Sequence, residues 1–133
     1  MCGIAGELRF SNETGPKVDW NAISAMMARR GPDDAGMWSD GGRCTLVFRR
    51  LAIIDLSANG HQPMTVGAGR YVLVFNGEVY NFQDLRKELE HLGVRFRSTS
   101  DSEVVLHALI EWGTKALDRF NGMFALGFYD SVE

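Results

Sequence analysis

Tyr71-Val72-Leu73-Val74-Phe75-Asn76-Gly77-Glu78 is the stretch whose reading decides the fold. Its first five residues are a continuous apolar run rich in β-branched and aromatic side chains, the pattern of a strand buried on both faces. Asn76-Gly77 then favours positive φ and reads either as a tight hairpin turn or as a cluster of donors at a strand end. Downstream, Asn81 is placed as an N-cap, Leu85, Leu89 and Leu92 share one helical stripe, and Gly93 stops it. Ser100-Asp101-Ser102-Glu103 has the form of a capping box before Val104, Val105, Leu109 and Trp112, so a further helix starts there. Met123 to Tyr129 reads as a closing strand of buried type. Upstream, residues 57–63 have loop chemistry, and Cys44-Thr45-Leu46-Val47-Phe48 predicts a strand continuing toward Ile53-Ile54. Gly31 to Gly36 reads as a loop, a helix capped by Asp19 is expected at about 19 to 29, and Gly3 to Phe10 reads as a strand. Strand, helix, several strands, two helices and a strand, without regular alternation, place the chain in the α+β class.

A length of 133 residues, 45% of them hydrophobic, suits one domain with a real core. Charged residues at 23% and a net charge of -3 exclude the basic excess of a nucleic-acid binder and the composition of a disordered tail. No stretch reaches the ~20 apolar residues of a membrane span, and the N-terminus lacks signal-peptide character. A cytoplasmic protein is therefore expected. Cys2 and Cys44 are too few for a disulfide framework and are expected as thiols.

Cys2 follows the initiator methionine, and a small side chain there allows that methionine to be removed. An N-terminal cysteine then carries a nucleophile and an amine of ordinary pKa ~7.7–8.0 that can act as its base. The competing reading is a small hydrophobe at the start of a strand. Arg49 and Arg50 point to opposite faces of a strand, so at most one faces the interior, as a carboxylate-binding fork or as an edge charge. Asp101 either serves the site or favours the positive end of its helix. Cys44 is read as core, and the scattered His61, His91 and His107 do not suggest a metal site.

Taken in order, Met1-Cys2-Gly3-Ile4, Arg30-Gly31-Pro32-Asp33, Arg50-Leu51-Ala52-Ile53-Ile54-Asp55, Gln62-Pro63, Asn76-Gly77-Glu78-Val79-Tyr80-Asn81, Ser100-Asp101-Ser102-Glu103 and Asn121-Gly122-Met123-Phe124-Ala125 resemble the glutaminase domain of class II glutamine amidotransferases, asparagine synthetase branch. The resemblance spans essentially the whole sequence. It implies an N-terminal-nucleophile hydrolase sandwich, two antiparallel sheets between helical layers, that releases ammonia from the side-chain amide of L-glutamine. In that pattern Cys2 matches the nucleophile, and Asn76 and Gly77 match the oxyanion donors. Arg50 matches the partner of the substrate α-carboxylate, with Leu51, Ile53 and Ile54 lining the pocket, and Glu78 and Asp101 match the holders of the α-amino group. Arg29, Arg49 and Phe82 stand where many relatives carry other residues, His or Glu among them.

The resemblance further implies that residues 1–133 are the N-terminal part of the glutaminase domain, with its last strands and the synthetase domain outside this sequence. No cofactor is expected in this chain, and ATP and Mg²⁺ are implied for the missing synthetase domain. The expected partners are L-glutamine and that synthetase domain of the same protein, with a homodimer as a further expectation and neither nucleic acid nor membrane. Two other functions stay open: a non-catalytic glutamine-sensing module, and an acylase or peptidase with an N-terminal cysteine, which the paired Glu78 and Asp101 with Arg50 disfavour.

Overall fold

The computed structural model describes residues 1–10 and 15–132. The elements are β1 (Gly3–Leu8), α1 (Trp20–Met26), β2 (Asp34–Ser39), β3 (Cys44–Arg50), β4 (Met64–Val66), β5 (Tyr71–Val79), α2 (Phe82–His91), α3 (Asp101–Trp112) and β6 (Gly122–Asp130). Short 3-10 segments at Ala58–Gly60 and Gly113–Arg119 lead into β4 and β6. The strands form two antiparallel sheets, ordered β1-β3-β2 and β4-β5-β6.

Alternation along the two central strands builds the layers. Cys44, Leu46 and Phe48 of β3 meet Val72 and Val74 of β5 in an inter-sheet core, with Cys2, Ile4, Trp38 and Tyr129 packed around it. The Trp38 and Tyr129 rings, 5.2 Å apart, close one end. Leu73, Phe75 and Val79, on the other face of β5, pack on Leu85 and Leu89 of α2 and on Val104, Val105, Ala108 and Leu109 of α3. Full burial of each such Val, Leu or Phe side chain is worth roughly 1.5–3 kcal/mol. α1 lies against the outer face of the first sheet, where Arg49 Nε donates to Ser24 O at 3.0 Å. The order is helix, sheet, sheet, helices.

Several sequence expectations change in the fold. The 31–36 loop gives way at Asp34 to an edge strand, because β3 supplies a pairing partner from Asp34↔Arg50 to Ser39↔Thr45 that overrides poor β propensity. β3 ends at Arg50 and does not reach Ile53-Ile54, since the last pairs on its two sides fall at Arg49 and Arg50. Asn76-Gly77 is no turn: β5 runs straight through it, paired with β6 as far as Val79↔Gly122. Gly77 is required for that pairing, as a Cβ would fall 2.5 Å from Phe124 Cα.

Helix ends also differ. α1 is shorter than expected, although Asp19 Oδ1 caps it by accepting from Ala22 N at 3.0 Å. Asn81 occupies the N-cap position of α2 without capping it. Its side chain instead donates to Arg119 O at 3.0 Å and accepts from Asn121 N at 2.9 Å, tying α2 to β6. Leu92 is 58% exposed, so the buried stripe of α2 is Leu85 and Leu89. Gly93, at φ 95°, does stop α2. Half the capping box forms: Ser100 Oγ accepts from Glu103 N, while the Glu103 carboxylate takes Arg97 N, Ser98 N and Ser98 Oγ. β6 is an edge strand, half-buried where a buried one was expected.

Candidate active site

A cavity of about 280 Å³ opens where the ends of β1, β3 and β5 meet the first turn of α3. Cys2, Arg50, Leu51, Ile53, Ile54, Asn76, Gly77, Glu78 and Asp101 all line it, so the fold gathers at one cavity the residues that the resemblance assigns to the site. Met1, Phe48, Asp55, Gln62, Phe75, Ser102 and Met123 complete most of the wall.

Cys2 sits immediately before β1, half-buried, and its position is fixed from two sides. Leu51 N–H donates to Cys2 Sγ at 3.3 Å, and the Sγ–H faces Leu51 O at 3.6 Å. Arg30 Nε donates to Cys2 O at 3.2 Å. A thiol held against a backbone N–H at a cavity wall can act as a nucleophile. Cys44, by contrast, is buried in the inter-sheet core, where loss of hydration pushes its thiol pKa up.

Of the arginine pair, Arg50 turns inward and is only 8% exposed, while Arg49 faces α1. The buried guanidinium rests on carbonyls: Nη1 donates to Ser57 O at 2.7 Å and Nη2 to Asp55 O. Among the described residues it makes no direct ion pair; the Asp55 charge lies near enough to feel it, but the fork itself has no carboxylate bound to it, which suits it to a ligand carboxylate. The loop that carries those carbonyls is itself pinned. Asp55 Oδ1 accepts from Ser57 N at 2.7 Å and Ser57 Oγ at 2.6 Å, and Oδ2 accepts from Thr99 N at 3.0 Å. The Ser57 hydroxyl bond, above all, lowers the Asp55 pKa below its ordinary value. Asp55 was not singled out from sequence, yet an aspartate two residues before a serine is a recognisable Asx-turn signal.

Across the cavity, Asp101 begins α3 and is 5% exposed. Burial raises its pKa and the nearby Glu78 charge adds to the rise, while bonds from the backbone of Val79 and Ser102 oppose it. Two carboxylates that repel each other beside a cavity suit an ammonium group. The sign of the pH effect follows. A folded-state pKa above the ordinary 3.8 means the folded form holds the proton more tightly, so this group stabilises most at low pH and its contribution falls as pH rises through the raised value. Asp101→Asn, which keeps an acceptor for Val79 N–H, is therefore expected to raise Tm at pH 7 relative to the parent chain. The gain should vanish toward pH 3.5, where a series of melts checks it.

The β5 edge supplies donors. Pairing alternates along an antiparallel ladder, and Tyr80 N donates to Asn121 O of the β6 side at 2.7 Å, so even-numbered residues of β5 face β6. The N–H groups of Phe75, Gly77 and Val79 consequently point to the opposite edge. Gln62 Oε1 accepts from Phe75 at 2.6 Å and Asp101 Oδ2 accepts from Val79 at 3.0 Å. Gly77 N–H, between them, has no protein acceptor among the described residues and faces the cavity, as does the unengaged amide of Asn76. Two uncommitted donors side by side can stabilise an oxyanion. Among the described residues, no group of three His, Cys, Asp or Glu side chains is placed to hold a metal. Nor is any helix among them long and apolar enough to cross a membrane.

Two stacked antiparallel sheets with helices outside them make the sandwich fold of the N-terminal-nucleophile type. The glutamine phosphoribosylpyrophosphate amidotransferase of Bacillus subtilis, solved with ADP and GMP, shares it at a TM-score of 0.55 and 24% identity, over 67% of this chain and 21% of that one. A family model described as a glutamine amidotransferase domain matches residues 1–133. This chain belongs to that glutamine amidotransferase family. It is 40% identical to asparagine synthetase [glutamine-hydrolyzing] 3 of Bacillus subtilis (strain 168) over 98% of its own length. It is also 45% identical over 82% of its length to a putative asparagine synthetase [glutamine-hydrolyzing] of Mycobacterium tuberculosis (strain ATCC 25618 / H37Rv). The chain spans about a fifth of the length of these relatives, 21% and 18% respectively.

Proposed function

We propose that the chain hydrolyses the side-chain amide of L-glutamine to glutamate and ammonia through a thioester on Cys2. The observation that carries this reading is one cavity that holds a thiol, a buried guanidinium with no carboxylate bound to its fork, a carboxylate pair and two free donors. Once Met1 is removed, the Cys2 amine accepts the thiol proton as Sγ attacks the amide carbon. Asn76 and Gly77 N–H hold the oxyanion of the tetrahedral intermediate. Its collapse breaks the C–N bond, and the proton held by the amine passes to the leaving nitrogen as ammonia. Water, deprotonated by the same amine, then hydrolyses the thioester and regenerates the thiol.

Arg50 holds the α-carboxylate of the substrate, Glu78 and Asp101 hold its α-amino group, and Leu51, Ile53 and Ile54 wall the pocket. Fixing both charged ends leaves the amide at the sulfur. In this reading residues 1–133 are the N-terminal part of the glutaminase domain of a larger cytoplasmic protein whose synthetase domain, with ATP and Mg²⁺, passes the ammonia to an activated carboxylate; a homodimer remains part of the proposal. The test is ammonia release from glutamine and from N-acetylglutamine by the complete protein. Turnover of glutamine alone is expected, because acylation removes the charge that Glu78 and Asp101 read. Equal turnover of both substrates would overturn the amino-acid pocket, and turnover of neither, with glutamine still bound, would favour a sensing module.

A further inference from the structure

β5 has strands on both sides only at Tyr71–Leu73, where β4 runs beside it. Past that point its second edge is held by side chains that take the place of a strand, and the main one is Gln62. Gln62 is 3% exposed and lines the cavity, yet no role assigned above uses it. Its Oε1 accepts from Phe75 N–H at 2.6 Å, and its Nε2 donates at 3.3 Å to Ser102 Oγ, on the second residue of α3. Its backbone is seated against β2 at Gly36, where a Cβ would fall 2.8 Å from Gln62 C. Its amide thus joins α3 to β5 at Phe75, two residues before Gly77, while its backbone rests on β2.

We infer that Gln62, braced by Ser102, is a positioning residue for the oxyanion donors, setting the aim of Gly77 N–H and the Asn76 amide at the reacting carbonyl. The inference rests on the amidase reading above. An oxyanion donor works only near its ideal placement, and small displacements cost much of its effect. Removing Gln62 strands a buried Phe75 N–H, and the β5 edge relieves that loss by tilting toward a new acceptor. Gly77 N–H points to the same edge and tilts with it. A merely structural Gln62 would lower stability while leaving each folded active site as fast as before.

The test compares wild type, Gln62→Leu, Gln62→Glu and Ser102→Ala in the complete protein, with rates per titrated Cys2. The probe is the aldehyde analogue of glutamine, in which –CHO replaces the amide; thiol addition makes it tetrahedral and loads the oxyanion site. Gln62→Leu is expected to lose about 10–100-fold in kcat with KM within about threefold, and to lose aldehyde affinity in parallel with kcat/KM. Gln62→Glu, which keeps the acceptor for Phe75 N–H, should recover most of the loss. Ser102→Ala, a small change that carries the test if Gln62→Leu does not fold, should lose about threefold or more in both readouts. Wild-type kcat and aldehyde affinity in the folded Gln62→Leu or, failing that, in Ser102→Ala would overturn the inference alone. Absence of Cys2-dependent hydrolysis in wild type would overturn the amidase reading and this inference with it.

Discussion

Alanine at Cys2 is expected to lower glutamine hydrolysis by about 10⁴-fold or more while leaving the fold intact, because it removes the sulfur that forms the covalent bond and little else. Cys2 is half-buried at the rim of the inter-sheet core, and its sulfur contacts the backbone of Leu51 rather than filling a deep void. Truncation there exposes little apolar surface, so Tm should shift by a few degrees at most. Glutamine should still bind, since Arg50, Glu78 and Asp101 are untouched. Ammonia release measured beside a melting curve and a glutamine-binding titration separates loss of chemistry from loss of structure. Activity retained by Cys2→Ala would remove the thioester from the mechanism.

Asn76→Ala is the second large effect, a loss of about 10²–10³ in kcat with KM nearly unchanged. The backbone of Asn76 pairs with Ala125 in the β5–β6 ladder and does not depend on the side chain. Its amide has no partner among the described residues, so alanine removes an interaction made when negative charge develops and none that holds the resting protein. An interaction stronger in the transition state than in the ground state appears in kcat, not in KM. Gly77 offers no comparable test, because any side chain there collides with the β6 backbone and breaks the ladder before it disturbs the chemistry. A rise in KM at constant kcat for Asn76→Ala would place its amide on the substrate ground state instead.

Much of this was readable in the sequence where the signal was local. The Leu85/Leu89 stripe, the apolar run of β5 and Ser100 ahead of α3 each carry their structure within a few residues. Asn76-Gly77 did not, because a hairpin turn and an extended strand against a close neighbour demand the same glycine, and only the approach of β6, where Gly77 pairs with the distant Phe124, decides between them. β2 was hidden for a related reason: Asp34, Ala35 and Gly36 are poor strand formers recruited by the free edge of β3. Asn81 has the composition of a cap, but Arg119 and Asn121 outbid the helix for its amide.

The site divides in the same way. Charged and nucleophilic residues stood out by chemical type, and Asp55 has a local Asx-turn signal toward Ser57, whereas Gln62 and Ser102, whose partners lie on Phe75 and each other, have no local pattern that announces a positioning role. Gln62 in particular reads as loop in sequence and becomes a surrogate strand only in three dimensions.

The central claim, that Cys2 is a processed N-terminal nucleophile in a glutamine pocket, is tested most directly by intact-mass analysis after exposure to a diazoketone analogue of glutamine. The account predicts loss of Met1 and a single adduct on Cys2 that excess glutamine prevents and Cys2→Ala abolishes. Retention of Met1 with no adduct, or labelling of Cys44 in place of Cys2, would contradict it.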